Sequence, residues 1–280
     1  MVVLKTVSDI VALIGNNREK GKIGYVPTMG ALHDGHLSLI KRCKDECAVT
    51  VCSIFVNPTQ FNDKSDFEKY PVKIEEDIAL LIEAGCDFLF LPTVSEVYPS
   101  ESKPIKYDIG MLETLWEGKY RPGHFQGVCQ VMHRFLQIIQ PNTLYLGQKD
   151  YQQCMVIQKL IHLFGFNTEL IIGATIREKS GLAMSSRNIR LSEKDKDAAV
   201  AIYNSLVYIK ERVAVVPSDT IKKKVDEKLL ESGFTSIDYV AICNAETLES
   251  LNEFNDSIPT VALIAAYLDG VRLIDNLLIC

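Results

Sequence analysis

A parallel α/β sheet followed by a smaller α+β unit is what this 280-residue sequence predicts. Three observations carry the prediction. Up to about residue 175, short apolar runs alternate with segments whose apolar residues recur at helical spacing, which is the rhythm of βα units. After Ile176 two helical segments precede three strand-like runs with no helix between them, the pattern of an antiparallel sheet. Polar clusters also follow several of the apolar runs, at the strand ends where open α/β sheets bind ligands. The boundary is therefore placed between two units, 1–176 and 177–280.

In chain order, 7–20 reads as an amphipathic helix with Ser8 at its N-cap and Ile10, Leu13 and Ile14 on its apolar face. The first strand is 23–26. A glycine-containing turn follows, and then Leu37, Ile40, Cys43 and Cys47 recur at helical spacing. Segment 48–56 is apolar nearly throughout, as suits a parallel strand covered on both faces. Pro58 stops it, so Asn57 and Gln60 fall beyond its carboxyl end. A helix over 74–84, closed by Gly85, leads to a strand at 87–91. From 92 to 125 the pattern is irregular and ends in a polar loop, Arg121-Pro122-Gly123-His124-Phe125. A helix over 128–139, a strand at 143–146, a polar segment 147–153, a helix to about 164 and a strand at 168–172 complete the first unit. In the second, the small-residue loop 179–188 precedes a helix capped by Ser192 and another after Pro217-Ser218. Strands at 237–243, 260–267 and 272–278 close the chain.

Composition narrows the function. With 30 basic and 36 acidic residues the formal charge is −6, and Lys222-Lys223-Lys224 lies in a charge-mixed helix, which argues against a nucleic-acid partner. No apolar run is long enough to span a bilayer, and the N-terminus lacks a secretory pattern, so a cytoplasmic, non-membrane protein is expected. The 8 cysteines include no Cys-x-x-Cys pair, which fits reduced, mostly buried thiols.

Chemistry concentrates where the first strand meets its helix. His33 and His36 flank Gly35 at a helix start, where N–H groups and the helix dipole favour phosphate. Either histidine alone is unremarkable; the spacing and setting point to nucleotide chemistry. Further polar clusters, 57–60, 147–153 and 184–188, also follow buried strands. Each has a plain reading as a turn, a helix start or a linker. Together they supply His, Lys, Arg and hydroxyl groups suited to a triphosphate.

The ordered blocks Pro27-Thr28-Met29-Gly30-Ala31-Leu32-His33-Asp34-Gly35-His36, Phe55-Val56-Asn57-Pro58-Thr59-Gln60-Phe61, Arg121-Pro122-Gly123-His124-Phe125, Gly147-Gln148-Lys149-Asp150-Tyr151-Gln152-Gln153 and Met184-Ser185-Ser186-Arg187-Asn188 resemble those of the pantothenate synthetase (pantoate–β-alanine ligase) family nearly end to end. The HxGH portion is shared with a wider nucleotidylyltransferase superfamily; the full set is specific. Gln148 departs from the Glu of many members. The resemblance implies a Rossmann-like first domain and two half-reactions. ATP and pantoate, with Mg²⁺, would give pantoyl adenylate and pyrophosphate; β-alanine would then give pantothenate and AMP. It implies that His33 and His36 contact phosphates with His36 as proton donor, that Lys149 stabilises the α-phosphate, and that Ser185, Ser186 and Arg187 grip the β- and γ-phosphates. Met29, Gly30, Ala31, Leu32, Asp34, Gly35, Gly147, Gln148, Asp150, Ile176 and Met184 would complete the ATP site, and Gln60 and Gln153 would bind pantoate. Metal ligands stay unassigned; Glu76 and Asp77 read best as a solvated first helical turn. A homodimer is implied, with the 48–56 strand and its neighbours leaving room for an interface. A mobile cover is expected from Arg121–Phe125 or from the second domain. Three rivals remain: a nucleotidylyltransferase with a stable dinucleotide product, a class I aminoacyl-tRNA synthetase, and a non-catalytic nucleotide sensor. The chain is short and acidic for the second, and the sensor needs neither Lys149 nor two histidines.

Overall fold

The computed structural model describes residues 1–62, 64–99 and 105–280. The first unit runs β1 (Val2–Leu4), α1 (Val7–Gly15), β2 (Ile23–Thr28), α2 (Asp34–Glu46), β3 (Val49–Ile54), α3 (Lys64–Glu68), α4 (Ile74–Glu83), β4 (Phe88–Phe90), α5 (Val94–Val97), α6 (Trp116–Tyr120), α7 (His124–Ile139), β5 (Thr143–Gly147), α8 (Tyr151–Leu163) and β6 (Glu169–Gly173). The second runs α9 (Glu193–Arg212), α10 (Ser218–Glu231), β7 (Ser236–Asn244), β8 (Thr260–Leu268) and β9 (Val271–Leu278). No described helix is long and apolar enough to cross a membrane.

The six strands pair in the order β1-β4-β3-β2-β5-β6, all parallel. Alternate residues serve opposite faces. Ile23, Tyr25, Val49 and Val51 join α1, α7 and α8 in one core, whereas Val26, Cys52 and Ile54 pack with Leu39, Ile40, Cys43 and Leu81 of α2 and α4 on the other. Coverage on both faces explains why these strands read as unbroken apolar runs. β3 itself is an interior strand with every residue buried and offers no outer surface.

The order reverses beside β2, whose neighbours are β3 and β5. Their pairing is unequal. β2 pairs with β3 through Thr28↔Ile54, but with β5 only at Gly24↔Thr143 and Tyr25↔Leu144. The carboxyl ends of β2 and β5 therefore separate, and a crevice opens where doubly wound sheets place their ligands.

The second unit is an antiparallel β7-β8-β9 sheet. Ile242, Ala262, Ile264 and Ala266 bury one face under α9 and α10. Tyr239, Ala241, Leu263 and Ala265 turn the other toward Leu112, Leu115, Trp116 and Tyr151 of the first unit. The indole N–H of Trp116 donates to Leu248 O at 2.8 Å. The second sheet is thereby seated on the first unit through an apolar contact in which the rings of Trp116 and Tyr239 meet.

Several boundaries differ from the sequence expectation. Thr6, not Ser8, caps α1, its hydroxyl accepting from Asp9 N, and the helix stops at Gly15 where the chain tightens into a 3₁₀ turn at Arg18–Lys20. β1 was not expected; three residues are too few for a periodicity to show. α7 begins at His124, so the second half of the expected polar loop is a buried first helical turn. Seven of the eight thiols are buried and Cys280 is exposed, all free.

Candidate functional site

The cleft at the carboxyl ends of β2 and β5 has a volume of about 200 Å³. Met29, His33, Gly35, His36, Gly147, Lys149, Asp150, Ile176, Met184, Ser185, Ser186 and Arg187 of the expected nucleotide set line it, as do Gln60 and Gln153. Gly30, Ala31, Leu32, Asp34 and Gln148 do not. The first three form the turn that aims the histidines, and Asp34 is the exposed first residue of α2. The Gln148 amide donates to Asn276 on β9 at 3.2 Å, tying the loop after β5 to the second sheet.

The histidine pair is built by helix capping. His33 is the N-cap of α2; its Nδ1 accepts from Gly35 N at 3.1 Å, and His36 Nδ1 accepts from His33 N at 3.3 Å. Both Nδ1 atoms are thus acceptors, so the network assigns the proton of each neutral ring to Nε2. The intervening glycine follows from this geometry, because a Cβ at Gly35 would sit 2.9 Å from the His33 ring. The ring centroids lie 4.1 Å apart. Burial, with the charge of Lys149, lowers His33 to about 4. Burial, with His33 and Lys149, lowers His36 to about 3. Near neutral pH the pair is two uncharged N–H donors.

Asp77 holds the turn before them. Its carboxylate, 1% exposed, accepts from Ala31 N at 2.9 Å and Leu32 N at 2.7 Å. Gly30 and Ala31 both have positive φ, 83° and 49°, a conformation costly for alanine and sustained here by those two bonds. The expected solvated role for Asp77 is therefore corrected, since burial on α4 makes it a brace. Ser186 Oγ donates to Ala31 O at 3.0 Å, so the second-unit loop closes on the same turn.

Across the crevice, Asn276 Nδ2 donates to the carbonyls of Gln148 and Lys149 at 2.8 and 2.9 Å, fixing the backbone that presents Lys149. Arg187 is half-buried and bonds Asp66 through Nε and Nη2, at 3.4 and 2.8 Å. Gln60 is buried in a 3₁₀ turn at Pro58–Gln60. Asn57 Nδ2 orients its Oε1 at 3.3 Å and also reaches Gly127 O at 3.1 Å. A Cβ at Gly127 would clash with Thr59 O, so this glycine lets the loop lie against α7. Gln153 projects from α8 into the same cleft, and among the described residues its amide has no hydrogen-bond partner. Sequence reading missed the roles of Asp77, Asn276, Asp66 and Tyr98, whose hydroxyl donates to Asn57 Oδ1 at 2.8 Å. Each is distant in sequence from what it positions.

A parallel sheet that splits beside its switch strand, with an HxGH pair capping the helix at the split, defines an α/β enzyme of the HxGH nucleotide-handling class. The comparisons narrow the class. The family model described as pantoate-beta-alanine ligase matches residues 2–278. A curated pantothenate synthetase from Cytophaga hutchinsonii is 47% identical over 272 residues, covering 95% of each chain. A crystal structure of pantothenate synthetase from Thermus thermophilus superposes with a TM-score of 0.92 at 38% identity, covering 100% of this chain and 99% of that one. The Francisella tularensis pantoate-beta-alanine ligase, solved complexed with beta-gamma ATP and beta-alanine, has a TM-score of 0.83 at 37% identity, covering 99% and 97%. The chain belongs to the pantoate–β-alanine ligase family and is an enzyme of that kind.

Proposed function

We propose that this enzyme condenses pantoate with β-alanine at the expense of ATP, through a pantoyl-adenylate intermediate. A pantoate carboxylate oxygen attacks the α-phosphorus; the bond to the bridging β-oxygen breaks and pyrophosphate leaves. The β-alanine nitrogen then attacks the acyl carbon, the carbon–oxygen bond to AMP breaks, and the nitrogen loses a proton. One observation carries the reading: two neutral imidazole N–H donors, Lys149 and Arg187 line a single cleft together with two glutamines. The first set suits charge developing on phosphate oxygens, and the amides suit the hydroxyls and carboxylate of pantoate. The relative solved with ATP and β-alanine supports the substrate set.

In this reading His36 donates a hydrogen bond from Nε2 as an uncharged group, so its contribution is preorganised stabilisation rather than delivery of a proton from an imidazolium. Residues 1–176 hold nucleotide and pantoate, and 177–280 close over the phosphates with Ser185, Ser186 and Arg187. The site suits Mg²⁺ carried mainly by phosphate oxygens. Among the described residues no three His, Cys, Asp or Glu side chains converge as a metal cage. Both Asp77 oxygens are taken, and Asp150 is the acidic side chain lining the cleft. Asp150 would hold the ion there, and the ion when bound would neutralise triphosphate charge. We place the enzyme in the cytoplasm, as the sequence leads one to expect, and as a homodimer, as the family resemblance implies, with a seam elsewhere than β3. Light scattering on the purified protein reports the assembly.

The test supplies ATP with pantoate, with β-alanine, and with both, following pyrophosphate, AMP and acylated product. Pyrophosphate formation that needs pantoate, and AMP release that also needs β-alanine, is the expected result. AMP formation independent of either acid overturns the reading.

A further inference from the structure

We infer that Asp275 and Asn276, adjacent on β9, are positioning residues that hold the two phosphate-facing loops of the site, 147–150 and 184–187, in a fixed relation, an inference that rests on the ligase reading above. The second unit then does more than cover the phosphates; it helps to build the geometry in which the adenylate forms. Asp275 and Asn276 are consecutive polar residues, yet both are buried, at 5% and 2% exposure. A strand sends neighbouring side chains to opposite faces. Asn276 pairs with Leu263, on the face turned to the first unit, and Asp275 pairs with Ile264, on the face under α9 and α10. Each therefore addresses a different loop.

Asn276 serves the loop after β5. Its Oδ1 accepts from Gln148 Nε2 at 3.2 Å, which turns its Nδ2 to the carbonyls of Gln148 and Lys149 at 2.8 and 2.9 Å. Those carbonyls belong to the short 3₁₀ turn Gln148–Asp150, whose N-cap, Gly147, makes no side-chain capping bond. The turn that presents Lys149 is thus held from the second unit. Asp275 serves the other loop. Its carboxylate takes the Arg177 guanidinium as a fork, with Nη1 on Oδ2 and Nη2 on Oδ1. Arg177 Nη1 also donates to Gly181 O at 3.2 Å, and its guanidinium lies 4.0 Å from the centre of the Tyr203 ring. Arg177 is the base of a hairpin, where it bridges Ala183 antiparallel and Met184 N donates to Ile176 O at 3.0 Å. Fixing that base fixes the point from which Met184–Arg187 enters the cleft. The two halves join within the dipeptide: Asn276 N donates to Asp275 Oδ1 at 2.8 Å, and Arg177 Nη2 reaches Asn276 O at 3.5 Å. Lys149 and Arg187 line the same cleft from different units. They meet the phosphate charge together only if their loops keep this separation, and a displacement of about 1 Å costs on the order of 100-fold in rate.

The test follows pantoate-dependent ATP–pyrophosphate exchange in the full chain, with kcat and the KM for ATP measured separately. Each variant is made alone and together with loss of the group it positions. Asn276→Ala lowers kcat about 10- to 100-fold and leaves the KM for ATP within about threefold, because Lys149 acts on charge that develops in the transition state. In a Lys149→Ala background the same substitution changes the residual rate by less than about twofold, since nothing is left to position. Asp275→Asn raises the KM for ATP about 10-fold, because Ser185–Arg187 grip phosphates already present in the ground state, and this effect shrinks below about twofold in an Arg187→Ala background. Gln148→Ala keeps both buried residues and removes only the amide that orients Asn276, so it tests the inference even if the buried variants fail to fold. Its kcat falls about 3- to 10-fold at unchanged Tm, and only while Lys149 is present. Losses that are fully additive with Lys149→Ala overturn the inference in favour of a general loosening of the second unit. An unchanged kcat in Gln148→Ala also overturns it. Wild-type enzyme without any pantoate-dependent exchange overturns the ligase reading itself, a result distinct from each of these.

Discussion

His33 and His36 owe their chemistry to which nitrogen is occupied. Each Nδ1 is an acceptor within the capping box, so each Nε2 keeps its hydrogen, and burial keeps both rings uncharged down to about 4 and about 3. The sign follows directly: both folded values lie below 6.5, so neither ring gains a proton as pH falls from 8 to 5. The pantoate-dependent exchange rate, followed over that range, will show no histidine inflection near 6.5. His36→Ala will bind ATP and lose about 100-fold or more of the exchange rate, the scale of a deleted donor to developing charge. Asp77 is the second residue to watch, because it spends both oxygens on the turn that carries His33. Asp77→Asn offers one acceptor where two are needed and faces an N–H with an NH₂. It will cost about 1–3 kcal/mol of stability and lower kcat more than it raises the KM for ATP, measured by urea unfolding and by exchange kinetics.

At the scale of elements, the 57–60 loop and α7 are fitted to each other. Asn57 reaches the carbonyl of Gly127, and the bare Cα of Gly127 admits Thr59. Gly127→Ala will push the 57–60 loop off the helix and displace Gln60. The expected outcome is a KM for pantoate raised about 10-fold or more with α7 intact by circular dichroism, because alanine favours the helix itself. The clusters of this site were legible in the sequence because each is local: His-x-Gly-His, the residues after Gly147 and the residues after Met184 need only their own neighbours to be recognised. The start of α7 was not. Arg121-Pro122-Gly123 reads as a turn, and only burial of His124 against Gln60 O and of Phe125 in the core turns the next two residues into helix. Asp77 was misread for a related reason. An acidic residue in a first helical turn is ordinarily solvated, and nothing in its own segment reports the turn it meets 46 positions away.

Across the whole molecule, buried charge binds the two units. Glu117 of α6 accepts from Arg272 of β9 and Tyr239 of β7, and Arg272 also holds Asp238 at 2.7 Å. Burial opposes the charge on Glu117, but Arg272 overrides it and brings the carboxyl down to about 2. His124 goes the other way for a base: burial, with Arg121, lowers it to about 3. Both folded values lie below the unfolded ones, so both contributions are complete at high pH and fade as pH falls. The histidine contribution declines below about 6.5, and that of Glu117 declines below about 4.5. Urea midpoints will therefore be flat between pH 7 and 8, drop by about 1 kcal/mol or more in stability between pH 6.5 and 5, and fall again below pH 4.5. A midpoint that rises on acidification to pH 5 would contradict the buried neutral His124.

By itself the sequence determined the alternation of strand and helix, the change to an antiparallel unit after Ile176, and the inventory of chemical groups. Those properties follow from periodicity and from covalent spacing over a few residues. Tertiary structure alone decided how the groups face one another. It split β2 from β5 beyond Tyr25 and Leu144, supplied the Asp77 carboxylate to the turn before His33, and set Arg121 against His124 beside the cleft. These depend on contacts between segments dozens of residues apart, where a side chain's role is fixed by the groups that burial brings to it.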